Sequence, residues 1–307
     1  MHPAVSVIVP VRNEERHLAD AVAAIVEQDY DGPMQVVLAV GPSQDNTMHV
    51  AQRIAAADDR IVVVESPTGR TPDSLNLAIA AGSNPIVVRV DAHCELSPGY
   101  IAAAVADLER TGADNVGGVM AAQGITPFEC AVAAAMTSRL GVGGAAFHTG
   151  GEAGPADTVY LGVFRRSALE RVGGYDPHFT RAQDWEMNYR IRATGGLVWF
   201  DPTLHVTYRP RSSLRALARQ YFDYGSWRRE VMRSHPDTVS LRYLAAPAAV
   251  AGSTVGLIAT LLGATWAAIA PLGYLAIEGI ASAALARRAG RGAALVPIVL
   301  LTMHWSW

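Results

Sequence analysis

Charged residues are scarce in this chain of 307 residues: only 17% are charged, and none is a lysine. Half of the residues are apolar, and the formal net charge at pH 7 is −3. A disordered protein has fewer apolar residues, and a nucleic-acid-binding protein needs a positive surface. The composition therefore excludes both classes, and no nucleic-acid partner is expected.

Cysteine is scarce as well. With only Cys94 and Cys130, the chain cannot build the disulfide framework of a small secreted domain. The N-terminus lacks the basic and then apolar run of a signal peptide, because the polar residues 12–15 follow the first apolar run at once. We therefore expect a reducing, cytoplasmic environment for roughly the first 240 residues.

Acidic residues are nearly absent from the C-terminal part of the chain. Residues 1–204 contain 24 acidic residues and 14 arginines. Residues 205–242 contain 3 acidic residues and 8 arginines, and residues 243–307 contain 1 acidic residue and 3 arginines. This distribution predicts a globular domain over 1–204, a basic and aromatic interface region over 205–242, and transmembrane helices over 243–307.

The apolar region has the length of a membrane hairpin. Residues 244–286 contain one acid, Glu278, and no arginine, which leaves room for two passes of about 20 residues each. Pro271 and Gly273, near the middle, predict the turn between the passes. The positive-inside rule then places the next arginines in a cytoplasmic loop; they are Arg287, Arg288 and Arg291.

A third apolar run, from Ala293, predicts the start of another crossing. Gly252 and Gly256 have a spacing that lets membrane helices approach closely, either within the hairpin or in a homo-oligomer. The alternative is a pair of core helices in a soluble protein, which the lack of a polar face disfavours.

The first 90 residues alternate between strand-like and helix-like patterns. Apolar runs predict strands over residues 5–10, 34–40, 60–65 and 85–90, and helical spacing predicts helices over 14–28 and 45–57. A third helix is predicted to begin with Thr71 as N-cap and Pro72 in its first turn. This order indicates an α/β fold with a mostly parallel, doubly wound sheet that binds ligands at the carboxyl ends of its strands.

The fourth predicted strand ends in Val90-Asp91-Ala92-His93-Cys94. If this segment is extended, Asp91 and His93 point to the same side, and a carboxylate with an imidazole suits a divalent cation. Cys94 would then point away, which disfavours zinc. The alternative is a loop-capping Asp beside a surface His.

A second polar cluster covers residues 181–192. If it is helical, Asp184 begins the helix, and Glu186 and Arg190 form an i, i+4 pair. The alternative is an ordinary surface helix with a salt bridge.

Seven short segments, taken in order, resemble the family 2 glycosyltransferases, especially the membrane-associated branch with the succinoglycan-type bacterial enzymes. The segments lie between about residues 4 and 230; they are VSVIVPVRNEE (5–15), SQDNT (43–47), RVDAH (89–93), GVFRR (162–166), GGYD (173–176), QDWE (183–186) and QYFDYGSWR (220–228). A dinucleotide-dependent oxidoreductase is disfavoured, since no Gly-x-Gly-x-x-Gly turn follows the first strand.

The resemblance implies a GT-A catalytic domain over residues 1–204 that transfers a sugar from a nucleotide-sugar with inversion. Asp91 and His93 stand in the family's Asp-x-Asp motif, which implies that they hold Mn²⁺ or Mg²⁺ on the donor diphosphate. Asp184 stands where the family has its catalytic base, which implies that it takes the proton of the acceptor hydroxyl.

Other positions match the family's donor contacts. The resemblance implies that Pro10, Arg12 and Glu14 contact the base and ribose, and, more weakly, that Arg70 and Asn76 contact the diphosphate and sugar.

The chain also departs from the family pattern. Many members carry an Asp after the second strand that pairs with uracil, whereas residues 38–43 read LAVGPS, so the donor is a UDP- or GDP-sugar with the base left open. The second metal position is His93 instead of Asp.

Residues 214–233 combine arginines with aromatic rings, which predicts a helix at the interface of an anionic membrane. This favours a lipid-linked or glycolipid acceptor, and a multi-pass protein of the inner or plasma membrane with a cytoplasmic catalytic domain.

A polymerising enzyme is an alternative, but Gln220 and Trp227 are too far apart for the Gln-x-x-Arg-Trp element. A non-catalytic sugar-binding membrane scaffold is another, and Asp91 and Asp184 count against it.

The segment 141–154 is rich in glycine and poor in apolar residues. We expect a loop there that becomes ordered around the acceptor; an idle surface loop is the alternative.

Overall fold

The computed structural model describes residues 2–307, and the chain forms two compact units. One unit contains the residues up to Ala121 and Gly150–Tyr208, and the other contains Ala122–Thr149 and Arg209–Trp307. Residues 122–149 thus group with the C-terminal helices. The predicted domain boundaries at 204 and 242 stay predictions.

Over the described residues the chain forms nine strands and thirteen α-helices. The strands are β1 (Val5–Val11), β2 (Met34–Val40), β3 (Ile61–Glu65), β4 (Ile86–Arg89), β5 (Glu95–Leu96), β6 (Asn115–Ala122), β7 (Gly154–Pro155), β8 (Tyr160–Arg165) and β9 (Val198–Tyr208). The helices are α1 (Leu18–Val26), α2 (Thr47–Ala57), α3 (Thr71–Ala81), α4 (Tyr100–Thr111), α5 (Pro127–Met136), α6 (Arg139–Val142), α7 (Ala146–Thr149), α8 (Arg166–Val172), α9 (Gln183–Ala193), α10 (Leu214–Ser234), α11 (Leu241–Leu261), α12 (Ile269–Ala289) and α13 (Val296–Ser306).

The first unit is built on one mixed sheet with the strand order β3-β2-β1-β4-β8-β6-β9-β5, and β7 pairs with β9. Strands β3, β2, β1 and β4 are parallel, with Val5 opposite both Met34 and Ile86. Strand β8 runs antiparallel to β4 and to β6. The predicted α/β sheet is confirmed. Its parallel part consists of β1 to β4, the four strands predicted from the sequence of the first 90 residues.

The central strands are buried, which explains their uninterrupted apolar sequences. In β1 the side chains of Val5, Val7, Ile8 and Val9 have no exposed surface. A parallel strand covered on both faces is apolar at successive positions. The crossover helices between such strands supply the cover: Leu18, Val22 and Ile25 of α1 are all buried.

The start of α3 differs by one residue from the prediction. Arg70 is the N-cap, with an extended backbone (φ −78°, ψ 136°), and Thr71 is already helical. Thr71 as N-cap is therefore wrong. Pro72 does lie in the first turn, where its missing N–H leaves no hydrogen bond unmade.

The second unit is helical and contains two helical segments that are long and apolar enough to cross a membrane, Tyr243–Leu261 and Thr265–Ser306. The turn between them is at Gly263, whose φ of +102° favours glycine. The predicted turn at Pro271 and Gly273 is therefore wrong. Both residues lie in α12, where Pro271 occupies the first turn and costs no hydrogen bond.

The small residues of the hairpin differ in their surroundings. A Cβ at Gly256 would lie 2.8 Å from the carbonyl oxygen of Ala267, whereas a Cβ at Gly252 would meet nothing within 4 Å. Close approach within the hairpin is therefore confirmed at Gly256 only. The run predicted from Ala293 is a 3-10 turn over Gly290–Leu295 followed by α13.

The glycine-rich segment 141–154 is not a plain loop. It contains the end of α6, all of α7 and the start of β7. Just before the segment, the carbonyl oxygen of Leu140 lies 3.0 Å from Nε2 of His304.

Candidate active site

The candidate site lies in the first unit, where β1 and β4 end. These strands are parallel neighbours, with Ile8 opposite Arg89, so the residues that follow them meet at one edge of the sheet. There Nδ1 of His93 lies 3.5 Å from Oε1 of Glu14. The structure thus brings a predicted donor contact and a predicted metal ligand together.

The segment after β4 is a turn and not an extension of the strand. The N–H of Cys94 donates to the carbonyl oxygen of Asp91 at 2.9 Å. Asp91, His93 and Cys94 have ligand atoms that all lie within 4.8 Å of one another. Asp91 and His93 do lie close together as predicted, but the turn brings them together and not an extended strand. The prediction that Cys94 points away from Asp91 is wrong for the same reason.

Cys94 is a poor partner for a metal in spite of its place. Its side chain is buried, and Sγ lies 3.2 Å from the hydroxyl of Tyr160. Burial raises the pKa of the Cys94 thiol to about 12, and zinc binds the thiolate. The carboxylate of Asp91 and the imidazole of His93 remain, a donor set that fits Mn²⁺ or Mg²⁺ with open positions for phosphate oxygens.

Arg89, the last residue of β4, lies at the candidate site, and the sequence analysis gave it no role. It is only 3% exposed. Its Nε and Nη2 donate to the same oxygen, Oδ1 of Asp91, at 3.2 and 3.0 Å, and its Nη1 contacts Oδ1 of Asp184. Burial opposes the charge, yet Asp91 beside it holds the pKa of Arg89 above its usual value. The sequence did contain a signal for Arg89, because it is a charged residue at the end of the otherwise apolar strand β4.

Asp184 is the second residue of α9, because the helix begins one residue earlier than predicted, after Ala182 with φ +56°. Its side chain is 29% exposed, so solvent and ligands can reach it. A carboxylate in the first turn is also favoured by the helix dipole. Asp184 is therefore accessible, as the predicted catalytic base must be.

Glu186 is in a different situation from Asp184. It is 2% exposed, and its two oxygens accept from Nε and Nη2 of Arg190 at 2.6 and 2.7 Å. Nη1 of Arg190 also donates to the carbonyl oxygen of Val172, at the end of α8. The predicted i, i+4 pair is confirmed, and it ties α9 to α8.

The loop after β1 is held by the loop after β2. The N–H of Gln44 donates to Oδ1 of Asn13 at 2.8 Å, and the N–H of Glu14 donates to Oγ1 of Thr47 at 2.8 Å. Asn13 has a φ of +56°, so its conformation depends on these partners. The SQDNT segment therefore fixes the backbone of the residues predicted to contact the donor.

Pro10 and Arg12 belong to the same edge. Pro10 is in β1, opposite Ala39 of β2, and is partly exposed. Arg12 is exposed, and a Cβ at Gly69 would lie 3.5 Å from its Cδ. Arg70 donates to both oxygens of Asp73, at 2.9 and 3.2 Å.

Asn76 is engaged with the GGYD segment. Its Oδ1 accepts from the N–H of Tyr175 at 2.8 Å, and its Nδ2 donates to the carbonyl oxygen of Tyr175 at 2.7 Å. Gly174 must be glycine, since its φ is +76° and a Cβ there would lie 2.7 Å from Oδ1 of Asn76. The ring of Tyr175 in turn lies beside Arg89, with 5.9 Å from Cζ to the ring centroid.

Known proteins are similar to this chain in sequence and fold. Residues 6–173 match Glycosyl transferase family 2. The chain is 31% identical to the succinoglycan biosynthesis protein ExoA of Rhizobium meliloti, over 98% of this chain and 92% of that protein. It is 21% identical, over 72% of each chain, to a dolichyl N-acetyl-α-D-glucosaminyl phosphate 3-β-D-2,3-diacetamido-2,3-dideoxy-β-D-glucuronosyltransferase of Methanococcus voltae.

A solved structure shows the same fold. The mannosyltransferase PcManGT from Pyrobaculum calidifontis, in complex with GDP-Man and Mn²⁺, aligns with 99% of this chain and 86% of its own, at a TM-score of 0.61 and 22% identity.

Proposed function

The chain belongs to glycosyl transferase family 2 and has a GT-A fold, and we propose that it is a metal-dependent, inverting enzyme that transfers a sugar from a nucleotide-sugar to a membrane-associated acceptor. That it is a glycosyltransferase follows from the family. The relative named for succinoglycan biosynthesis supports a role in making a polysaccharide or glycolipid.

The observation that carries the proposal is the sharing of one buried arginine by two carboxylates. Asp91 comes from the segment after β4, Asp184 comes from α9, and Arg89 contacts both. One carboxylate is available to the donor and the other to the acceptor, which are the two requirements of a transfer reaction between them.

The reaction needs one displacement. The acceptor hydroxyl oxygen forms a bond to the anomeric carbon while the bond from that carbon to the diphosphate oxygen breaks. The nucleoside diphosphate leaves with the electron pair, and Asp184 takes the hydroxyl proton. Attack opposite the leaving group inverts the anomeric centre.

The donor side is assigned to the edge formed by β1 and β4. Asp91 and His93 would hold Mn²⁺ or Mg²⁺, which offsets the charge that develops on the leaving diphosphate. Pro10, Arg12 and Glu14 are proposed to contact the base and ribose. A solved structure with a similar fold contains GDP-Man and Mn²⁺. This supports a GDP-sugar as a candidate donor in addition to a UDP-sugar.

Arg70 and Asn76 are weaker proposals as diphosphate and sugar contacts, because Asp73 and Tyr175 already engage their polar atoms. A donor that binds there would have to exchange these contacts.

The acceptor side is assigned to the membrane. The segments Tyr243–Leu261 and Thr265–Ser306 have the length of membrane spans, and α10 carries exposed Phe222, Arg215 and Arg219, a composition that suits an anionic membrane surface. The dolichyl phosphate in the name of one relative supports a lipid-linked acceptor. We place the protein in the inner or plasma membrane with its catalytic domain in the cytoplasm.

The test is a panel of nucleotide-sugars incubated with the full-length protein, Mn²⁺ and a bacterial lipid extract, with release of nucleoside diphosphate as the readout. We expect one or a few donors to be consumed, faster with lipid and not at all after EDTA. Asp59→Asn, at an exposed turn, is the matched control for Asp184→Asn. Binding of a nucleotide-sugar without turnover under every condition would favour the non-catalytic scaffold.

A further inference from the structure

Arg89 is a buried cation that bridges two functional carboxylates from separate parts of the first unit. At 3% exposure it has little contact with water, and each of its three nitrogens is directed to Asp91 or Asp184. An arginine that only balanced buried charge could pair with either oxygen of a carboxylate. The pattern observed here is more selective than that.

The selectivity lies in which oxygens are contacted. Nε and Nη2 both donate to Oδ1 of Asp91, and Nη1 contacts Oδ1 of Asp184. In Asp91 the guanidinium takes up one particular oxygen. A carboxylate held in this way meets a cation or a proton through its other oxygen.

The position of the guanidinium is itself fixed. Arg89 is in β4 with Ile8 opposite, and its Cζ lies 5.9 Å from the centroid of the Tyr175 ring. Tyr175 is 1% exposed, and Asn76 binds its backbone at both the N–H and the carbonyl. The arginine therefore cannot turn away from the carboxylates without disturbing packed neighbours.

From this geometry we infer that Arg89 is a positioning residue that holds Asp184 toward the acceptor hydroxyl, and that its charge beside Asp91 limits the affinity of the site for the donor metal. The inference rests on the proposed function. It assigns two effects of opposite sign to one side chain. The positive charge beside Asp91 weakens the attraction for a divalent cation, while the contact with Asp184 places the base for proton transfer.

Removing the guanidinium should therefore separate metal binding from turnover. In Arg89→Gln, the full-length protein should bind Mn²⁺ about 3- to 10-fold more tightly, because a nearby positive charge is gone. The same variant should lose about 10²-fold in kcat, because Asp184 is no longer held. An arginine with a merely structural role would lower both properties together, along with stability.

The experiment measures Mn²⁺ affinity by electron paramagnetic resonance with the metal alone, and kcat at saturating donor, for wild type, Arg89→Gln and Arg89→Lys. Lysine keeps the charge but cannot contact both carboxylates as a planar fork does. We expect Arg89→Lys to bind Mn²⁺ like wild type and to lose about 10-fold in kcat. If Arg89→Gln shows no cooperative unfolding transition, Arg89→Lys decides the question through its split between affinity and kcat.

A double variant sharpens the test. In an Asp184→Asn background, Arg89→Gln should lower kcat by less than about 3-fold, since the base is already absent, and should still tighten Mn²⁺ binding. Weaker or unchanged Mn²⁺ binding in Arg89→Gln, or fully multiplicative losses in kcat, would overturn the inference while leaving a working enzyme. Full turnover of the wild type in EDTA would instead overturn the metal-dependent function.

Discussion

His304 pairs with Glu278 between α13 and α12, with 2.6 Å from Nδ1 to Oε1. Both side chains are largely buried, at 19% and 6% exposure, in a region with no other acidic residue. The other ring nitrogen of His304 reaches the carbonyl oxygen of Leu140. One histidine thus joins the last helix both to α12 and to the segment that begins with α6.

This pair leads to a prediction about stability. Glu278→Ala should lower the free energy of unfolding of the detergent-solubilised protein by about 1 to 3 kcal/mol, because it removes a buried hydrogen-bond partner of His304. Replacing both residues by leucine should recover most of the loss. Thermal unfolding is the measurement, with Thr254→Ala as control, since that exposed hydroxyl only binds Val250 of its own helix. A Glu278→Ala variant as stable as wild type would contradict the pair's role.

A second prediction concerns the metal. Asp91→Asn keeps the shape of the side chain but removes its charge, so it should abolish turnover and weaken Mn²⁺-dependent nucleotide binding. EDTA should inactivate the wild type, and added Mn²⁺ should restore it. Glu170→Ala, at an exposed position of α8, should behave as wild type in the same assay. Full activity in EDTA would count against Asp91 and His93 as metal ligands.

A third prediction separates the two acids of α9. Asp184→Asn should reduce kcat by roughly 10² to 10⁴ and leave donor affinity nearly intact, because only proton removal is affected. Glu186→Gln should mainly lower the unfolding temperature, because it weakens the buried contacts with Arg190. Steady-state kinetics and thermal unfolding of both variants give the comparison. Loss of donor binding with a high residual rate in Asp184→Asn would identify Asp184 as structural.

The sequence predicted the parallel half of the sheet well, for a physical reason. Strand β2 was predicted over the residues that the structure shows, because a strand buried on both faces must be apolar throughout. The helices were predicted too long: α1 begins at Leu18 and not at residue 14, since the polar residues before it bind the loop after β2.

The contacts that assemble the site could not be predicted from local pattern. The approach of Asp184 to Arg89 depends on tertiary packing, in which α9 contacts α8 and β9, and no spacing in the sequence encodes it. The turn that brings Cys94 beside Asp91 depends on one backbone hydrogen bond. Likewise, Gly263 and the pair Pro271 and Gly273 carry similar turn signals in the sequence. Only the packing of the helices determines that the chain turns at Gly263.

A fourth prediction concerns Asn76. Because its amide group binds the backbone of Tyr175 on both sides, Asn76→Ala should cost about 1 to 3 kcal/mol of stability. It should also lower kcat by displacing Tyr175 and, with it, Arg89. Unfolding experiments and donor KM together give the answer: a large rise in KM at unchanged stability would show that Asn76 acts as a direct donor contact instead.

The last prediction is topological and concerns the arginines after the second candidate span. Arg287 and Arg288 lie in the last turn of α12, and Arg291 follows in the 3-10 turn. Since positive residues stay on the cytoplasmic side, two passes should return the chain to the side of the catalytic domain. In a chain with Cys94 and Cys130 replaced, Arg288→Cys should be shielded from an impermeant thiol reagent added to intact cells, and should react once the cells are permeabilised. Leu262→Cys, at an 83% exposed position in the turn between α11 and α12, is the matched control and should react from outside. Labelling of Arg288→Cys in intact cells would contradict the hairpin and, with it, the return of the chain to the cytoplasm.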